Sequence, residues 1–189
     1  MFPSHDPLKL DHFKSAPELS KRFIPIYSNK DVIKKLGSGT VLEEKQPYRI
    51  GDFTVFPLPV KHDVECYAYL IIHPEIGKLV FCTDAASFPY NISGLDHLLI
   101  EANYDELIQQ EYMLNNFYSH NNIERLTNSH LSLYQAKEIV KRHNSDKLKT
   151  IMLLHLSSRN SNSDYFKEEI QKITGKPVII ANKNIEIEL

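Results

Sequence analysis

The chain has 189 residues, of which 42% are hydrophobic and 24% charged, with ten prolines and six glycines. That composition suits one globular domain over residues 1–189 with a real core, and excludes a disordered, fibrous or low-complexity chain. The formal charge of −2 argues against a broad phosphate-binding face, although a local basic groove remains compatible with it.

Cys66 and Cys82 lie in apolar runs, where a free thiol behaves as a small hydrophobe; two cysteines without a secretory leader point to a cytosolic protein. No segment approaches the ~20 apolar residues of a membrane span.

Along the chain, strand and helix patterns alternate. Pro17 to Arg22 reads as a short helix and "IPIYS" as a short strand; Ser28 or Asn29 then caps a helix carrying Val32, Ile33 and Leu36, ended by Gly37. "DFTVFPLPV" and "CYAYLII" are β-rich, "PEIGK" is a turn, and "KLVFCT" and "LDHLLIEA" are further apolar runs. From Asp105 to about Phe117 the pattern is helical. Ser132 with Gln135 forms a capping box before a helix whose face is Leu133, Ala136, Ile139 and Val140. "TIMLLHL" is too short for a helix and reads as a buried strand. A helix through Phe166, Ile170 and Ile173 closes at Gly175, and the chain finishes with "PVIIA", a turn at "NKN" and an alternating "IEIEL" that would expose Glu186 and Glu188. The expected class is α/β.

Chemistry collects at the ends of the apolar runs. "VFPLPV" leads into Lys61-His62-Asp63, "KLVFCT" into Asp84, "HLLI" into Glu101 and "TIMLL" into His155. In open α/β sheets ligands sit beyond the carboxyl ends of strands, so these side chains can converge although they are far apart in sequence. Histidine with carboxylate is the donor set of a zinc-like or manganese-like ion. A bland reading also fits each residue alone: a hydrogen-bonded strand-end histidine, a turn aspartate, a solvated glutamate. Phe53, Phe56, Tyr67 and Tyr69 read as core aromatics, and His73, His97, His120 and His143 as surface or turn residues. "SSRNSNSD" suits a loop and helix cap, and could also place Ser157 or Asn160 at a substrate.

The ordered segments "FTVFPLPVKHDVECYAYLI", "KLVFCTDAAS", "HLLIEANYDE", "NSHLSLYQAKEIV" and "IMLLHLSSRNS" resemble the successive motifs of metallo-β-lactamase-fold hydrolases. The likeness is to the phosphodiesterase-like or nuclease-like branch related to tRNA 3′-processing endonucleases, and it covers about Asp11 to the end. It implies an αββα sandwich. It also implies that His62 binds a first metal, Asp84 bridges two metals and His155 binds the second. His130 would act near a scissile phosphate, with Glu101 orienting it. Asp11 and His12 match the Asp-His pair of the family's HxHxDH signature, but in "PLKLDH" Pro7 and Lys9 replace its two histidines. Incomplete occupancy, fewer than two ions per chain, is the consequence, with zinc or manganese as the ion.

The motif also lies nearly at Met1, where the family has strand-rich sequence before it. The sandwich is therefore expected to be incomplete at the amino terminus. The leading expectation is a metal-dependent hydrolase of a phosphodiester or similar ester, on a phosphate-ester or nucleic-acid-like substrate and away from membranes, with a homo-oligomer left open. The alternatives are a catalytically inactive binding or regulatory module of the same fold, and an ordinary α/β domain with structural strand-end residues.

Overall fold

The computed structural model describes residues 13–114 and 120–189. Asp11 and His12, with Pro7 and Lys9, lie outside them. The described chain is α/β. It opens with helix α1 (Ala16–Lys21), strand β1 (Tyr27–Ser28), helix α2 (Lys30–Leu36) and strand β2 (Thr40–Val41). The Asn29 side chain accepts the Val32 N–H and so starts α2, which stops at Gly37 in the left-handed region.

The main sheet follows: β3 (Tyr48–Ile50), β4 (Phe53–Val60), β5 (Cys66–His73), β6 (Gly77–Cys82), β7 (His97–Glu101), then β8 (Thr150–Leu154) and β9 (Val178–Ile180). Between β7 and β8 come α3 (Glu106–Leu114), α4 (His120–Ser129) and α5 (Leu133–His143), and α6 (Ser163–Thr174) joins β8 to β9.

The seven strands pair in chain order, antiparallel from β3 to β6 and parallel from β6 to β9. That change of direction matters for function. It brings the carboxyl ends of β6, β7 and β8 side by side, with the loop after each projecting from the same edge of the sheet.

Register separates the two faces. The row Leu70, Val80, Leu98, Ile151, Val178 faces the helices and is almost wholly buried, Val80, Leu98 and Ile151 completely. Ala136, Ile139 and Val140 of α5, with Phe166 and Ile170 of α6, complete this core. At about 25 cal/mol per Å² of apolar surface, this layer is the main source of stability. The next row, Tyr69, Phe81, Leu99, Met152, Ile179, lies on the opposite face, and all of it but Met152 stays partly exposed. Of the two sheets of a sandwich, the described residues form this one of seven strands; beside it stand the short parallel β1–β2 ladder and an isolated bridge between Tyr104 and Ser132.

Most expected elements are present, and the differences have local causes. "IEIEL" alternates correctly but forms no strand: among the described residues no ladder partner pairs with it, and alternation alone cannot satisfy backbone groups. Helix α4 arises where the sequence offers few large apolar residues. His97 and His143 are buried rather than superficial, at 2% and 4% exposure. Each uses both ring nitrogens: His97 with the Ile76 carbonyl and Thr150 hydroxyl, His143 with the Ile139 carbonyl and Ile92 N–H. Burial pushes the His143 imidazole below its ordinary value. Phe53 is an exposed ring at the start of β4, beside His73, rather than core.

Candidate metal centre

The sheet places the site. Asp84 follows β6, Glu101 ends β7, His155 follows β8, and His130 stands between α4 and α5. Ligand atoms of Asp84, Glu101, His130 and His155 all lie within 4.8 Å of one another. Glu101 is the hub and is fully buried. Its Oε1 accepts from Nδ1 of His155 at 2.7 Å and of His130 at 2.8 Å, while Oε2 accepts the N–H of Ala85 at 3.0 Å and of Leu131 at 3.4 Å. Asp84 Oδ1 lies 3.2 Å from His155 Nδ1 and 3.8 Å from His130 Nδ1.

Electrostatics follow from this packing. Burial pushes the Glu101 carboxyl up, but hydrogen bonds from His130 and His155 outweigh it and hold the group below its ordinary value. Hydrogen bonds to Asp84 and Glu101 push the His155 imidazole up to about 10, against the effect of its burial. Without a metal, His155 is therefore an imidazolium between two carboxylates at neutral pH. A cation with neutral imidazole ligands must displace that proton.

Two of these residues have unusual backbones. Asp84 has φ of 51° and His155 φ of 55°, in the left-handed region that non-glycine residues enter at a cost of roughly 1 kcal/mol or more. Neighbouring hydrogen bonds hold both. The residues after Asp84 are tied by Ala85 N–H to Glu101 and by Ala86 N–H to the Lys61 carbonyl at 2.7 Å. The His155 carbonyl accepts from Asn103 Nδ2 at 2.7 Å, and the Ser157 N–H donates to the Asn103 carbonyl at 3.0 Å.

His62 stands at the rim, its ring centroid 5.6 Å from that of His130. Its Nδ1 is 2.8 Å from the Ser129 carbonyl. A carbonyl only accepts, so Nδ1 carries the proton and Nε2 keeps a lone pair for an ion. The segment around it is clasped to the end of α4: Lys61 donates to Asn128, the Ser129 hydroxyl donates to Asp63 at 2.6 Å, and Arg125 pairs with Asp63 at 3.3 Å. Burial raises the Asp63 carboxyl, but the Ser129 and Arg125 contacts bring it below its ordinary value.

Of the seven residues singled out in the sequence, the five that are described come together here. Asp63, Asn103 and Ser129 were not singled out for a role. Asn103 carried a signal, two positions beyond Glu101 in "IEANY", whereas Ser129 meets His62 through its carbonyl, a contact that any residue could make, and its hydroxyl finds Asp63 only across 66 positions of chain. Asn160, a candidate for the substrate from sequence, is instead buried, and its carbonyl accepts the Asp105 N–H. Cys66 and Cys82 are free thiols; burial pushes Cys66 up to about 12 and holds Cys82 well above its ordinary value, which disfavours the reactive thiolate at both.

The donor chemistry fits a divalent ion of the zinc or manganese kind. Asp84 and the imidazoles of His130 and His155 lie together, with His62 beside His130 at the rim, and the buried carboxylate behind His130 and His155 orients both rings, as such partners do around protein-bound metals.

No protein-family model matches the chain, and no curated protein matches it in sequence. Solved structures do. The metallo-β-lactamase fold protein YhfI from Bacillus subtilis aligns with a TM-score of 0.64 and 22% identity over 85% of this chain and 63% of its own. A diphosphatase of the PhnP family aligns at 0.57 with 17% identity, over 86% of this chain and 56% of its own. The short form of human tRNase Z aligns at 0.55 with 14% identity, over 87% and 67% respectively. The chain thus spans less than two thirds of the length of YhfI and of the diphosphatase. At these identities the likeness is one of fold.

Proposed function

From the metallo-β-lactamase fold of this chain, we propose that residues 1–189 act as one domain, a metal-dependent hydrolase cleaving a phosphodiester or similar ester. The observation that carries the reading is the convergence of Asp84, Glu101, His130 and His155 within 4.8 Å at the carboxyl edge of the parallel strands. The names of two structural neighbours, a diphosphatase and a tRNase, support phosphate esters or nucleic acids as the substrate class. We assign Asp84, His155 and His62 Nε2 as metal ligands, with Asp11 and His12 joining from outside the described residues. A bound zinc or manganese ion would supply Lewis-acid polarisation of the phosphoryl oxygen and an acidified water.

The chain's own residues supply the rest. Glu101 holds His130 by Nδ1, which fixes the ring and leaves Nε2 to exchange a proton with the departing oxygen. Pro7 and Lys9, at the positions of two metal-binding histidines, imply fewer than two ions per chain, since a lysine ammonium repels a cation. They also favour the second reading, an inactive module of the same fold. The same proposal places the protein in the cytosol.

Hydrolysis of bis-p-nitrophenyl phosphate with added Mn²⁺ or Zn²⁺ separates the two. Turnover that is abolished by His155→Ala and reduced about 10²- to 10⁴-fold by His130→Ala supports the enzyme. No turnover with either metal leaves the binding module.

A further inference from the structure

We propose that Asn103 is a positioning residue for this metal centre, its side-chain amide locking the left-handed backbone that aims His155 at the site. The inference rests on the metal-site reading above. Asn103 is 5% exposed and lies just past the end of β7, between the two histidine-bearing loops. Its N–H donates to the Leu131 carbonyl at 2.8 Å, next to His130, and its carbonyl accepts from Ser157 at 3.0 Å, two residues beyond His155. Leu133 N–H donates to the Tyr104 carbonyl and Ala102 N–H to that of Leu154, so residues 102–104 zip the two loops together.

Those backbone bonds would form with any residue at 103. The side chain adds what only an amide donor of this length provides: Nδ2 meets the His155 carbonyl at 2.7 Å. At φ of 55° that carbonyl has left the strand ladder, and a polar main-chain group needs a partner. The Nδ1 bond to Glu101 and the Ser157 N–H bond to the Asn103 carbonyl also restrain this loop, but removing the amide donor takes away the partner that fixes the carbonyl of residue 155 itself, so its backbone can relax toward an ordinary conformation and turn the imidazole from its aim at Asp84. Asn103→Asp keeps the shape and all backbone bonds but sets a carboxylate oxygen against a carbonyl oxygen. Asn103→Ala removes the donor alone.

The test titrates Zn²⁺ alone into EDTA-stripped full chain against a chromophoric chelator, for wild type, Asn103→Asp, Asn103→Ala, His155→Ala and the double variant Asn103→Asp/His155→Ala. The imidazole ¹⁵N spectra of the metal-free proteins are recorded in parallel. Both Asn103 variants should bind Zn²⁺ about 10- to 100-fold more weakly. They should shift the His155 Nδ1 signal while leaving that of His130 in place, and the effect on affinity should vanish in the His155→Ala background. Should Asn103→Asp fail to fold, Asn103→Ala carries the comparison.

Wild-type affinity with an unmoved His155 signal would overturn the proposal. So would a loss of affinity that persists without His155, because the residue would then be merely structural. A wild-type chain that binds no Zn²⁺ sinks the functional reading instead. The spectra then decide alone: a shifted His155 signal upholds the positioning role and an unshifted one refutes it.

Discussion

Removing the Glu101 carboxylate tests the centre at its hub, because four hydrogen bonds from three segments end on this one fully buried group. In Glu101→Ala the Ala85 and Leu131 N–H groups lose their acceptor, at about 1–3 kcal/mol for each that stays dry, and two imidazoles lose a charge-assisted partner worth about 1.5–3 kcal/mol each. Against this, the variant no longer desolvates a carboxylate, which offsets several kcal/mol. Removing one partner of a buried ion pair nets about 3–5 kcal/mol of destabilisation, and that is the expected loss in urea unfolding of EDTA-treated protein near neutral pH.

Glu101→Gln should lose less, roughly 1–3 kcal/mol. Its amide oxygen still accepts from Ala85 and Leu131, and its NH₂ can donate to both rings if each Nδ1 becomes an acceptor.

The pH dependence gives a second reading of the same experiment. His155 stands at about 10 in the folded chain against an ordinary value of 6.5. A raised value means that the folded state binds the proton more tightly. Its stabilisation is fully present below about pH 6.5 and is lost as pH rises through about 10. Because the His155 side chain is 37% exposed, solvent screening limits this to roughly 1–2 kcal/mol. Wild type should therefore weaken on going from neutral to alkaline pH, and Glu101→Ala should do so less. If Glu101→Ala stays within about 1 kcal/mol of wild type and keeps the same pH slope, the carboxylate is not the hub described here.

Metal binding should release protons. His155 enters as imidazolium and must leave as neutral imidazole, so Zn²⁺ affinity should rise by up to about tenfold per pH unit across the neutral range. Calorimetry in buffers of different ionisation enthalpy should count about one proton released, and a pH-independent affinity would contradict the assignment. At the other end of the sheet, Gly77→Ala should cost about 2–4 kcal/mol in urea unfolding. The residue sits at φ of 84°, and a Cβ there would lie 2.3 Å from Asp96 Oδ2, the acceptor of the Lys78 N–H. Gly51→Ala, at φ of 61° with nothing within 4 Å of the new methyl, should cost only about 1 kcal/mol; equal losses would mean that the Asp96 contact carries no weight.

Much of this architecture was legible because its signals are local. The Ser132–Gln135 capping box forms with both of its hydrogen bonds, Gly175 ends α6, and the apolar runs of β4 to β8 are strands because short apolar runs bounded by turn and polar residues leave a buried ladder as the favourable outcome. Signals fail where tertiary surroundings decide. Phe53 belongs to an alternating run but sits at its exposed start, and His97 and His143 are polar residues whose burial depends on partners that include groups 21 to 53 positions away. "IEIEL" has the pattern of a strand and, among the described residues, lacks the neighbour.

The same division runs through the site. Sequence by itself determined that histidines and carboxylates stand where apolar strands end, since residue type and hydrophobic period are written in the chain. Tertiary structure alone decided that Asp84, Glu101, His130 and His155 meet. Parallel pairing of β6, β7 and β8 places residues up to 71 positions apart at one edge, and no local period encodes such pairing. It alone decided, too, that Glu101 lies beneath the histidines with both oxygens engaged, and that Asp84 and His155 hold left-handed backbones. Those are properties of hydrogen bonds between segments, which exist only once the chain has closed on itself.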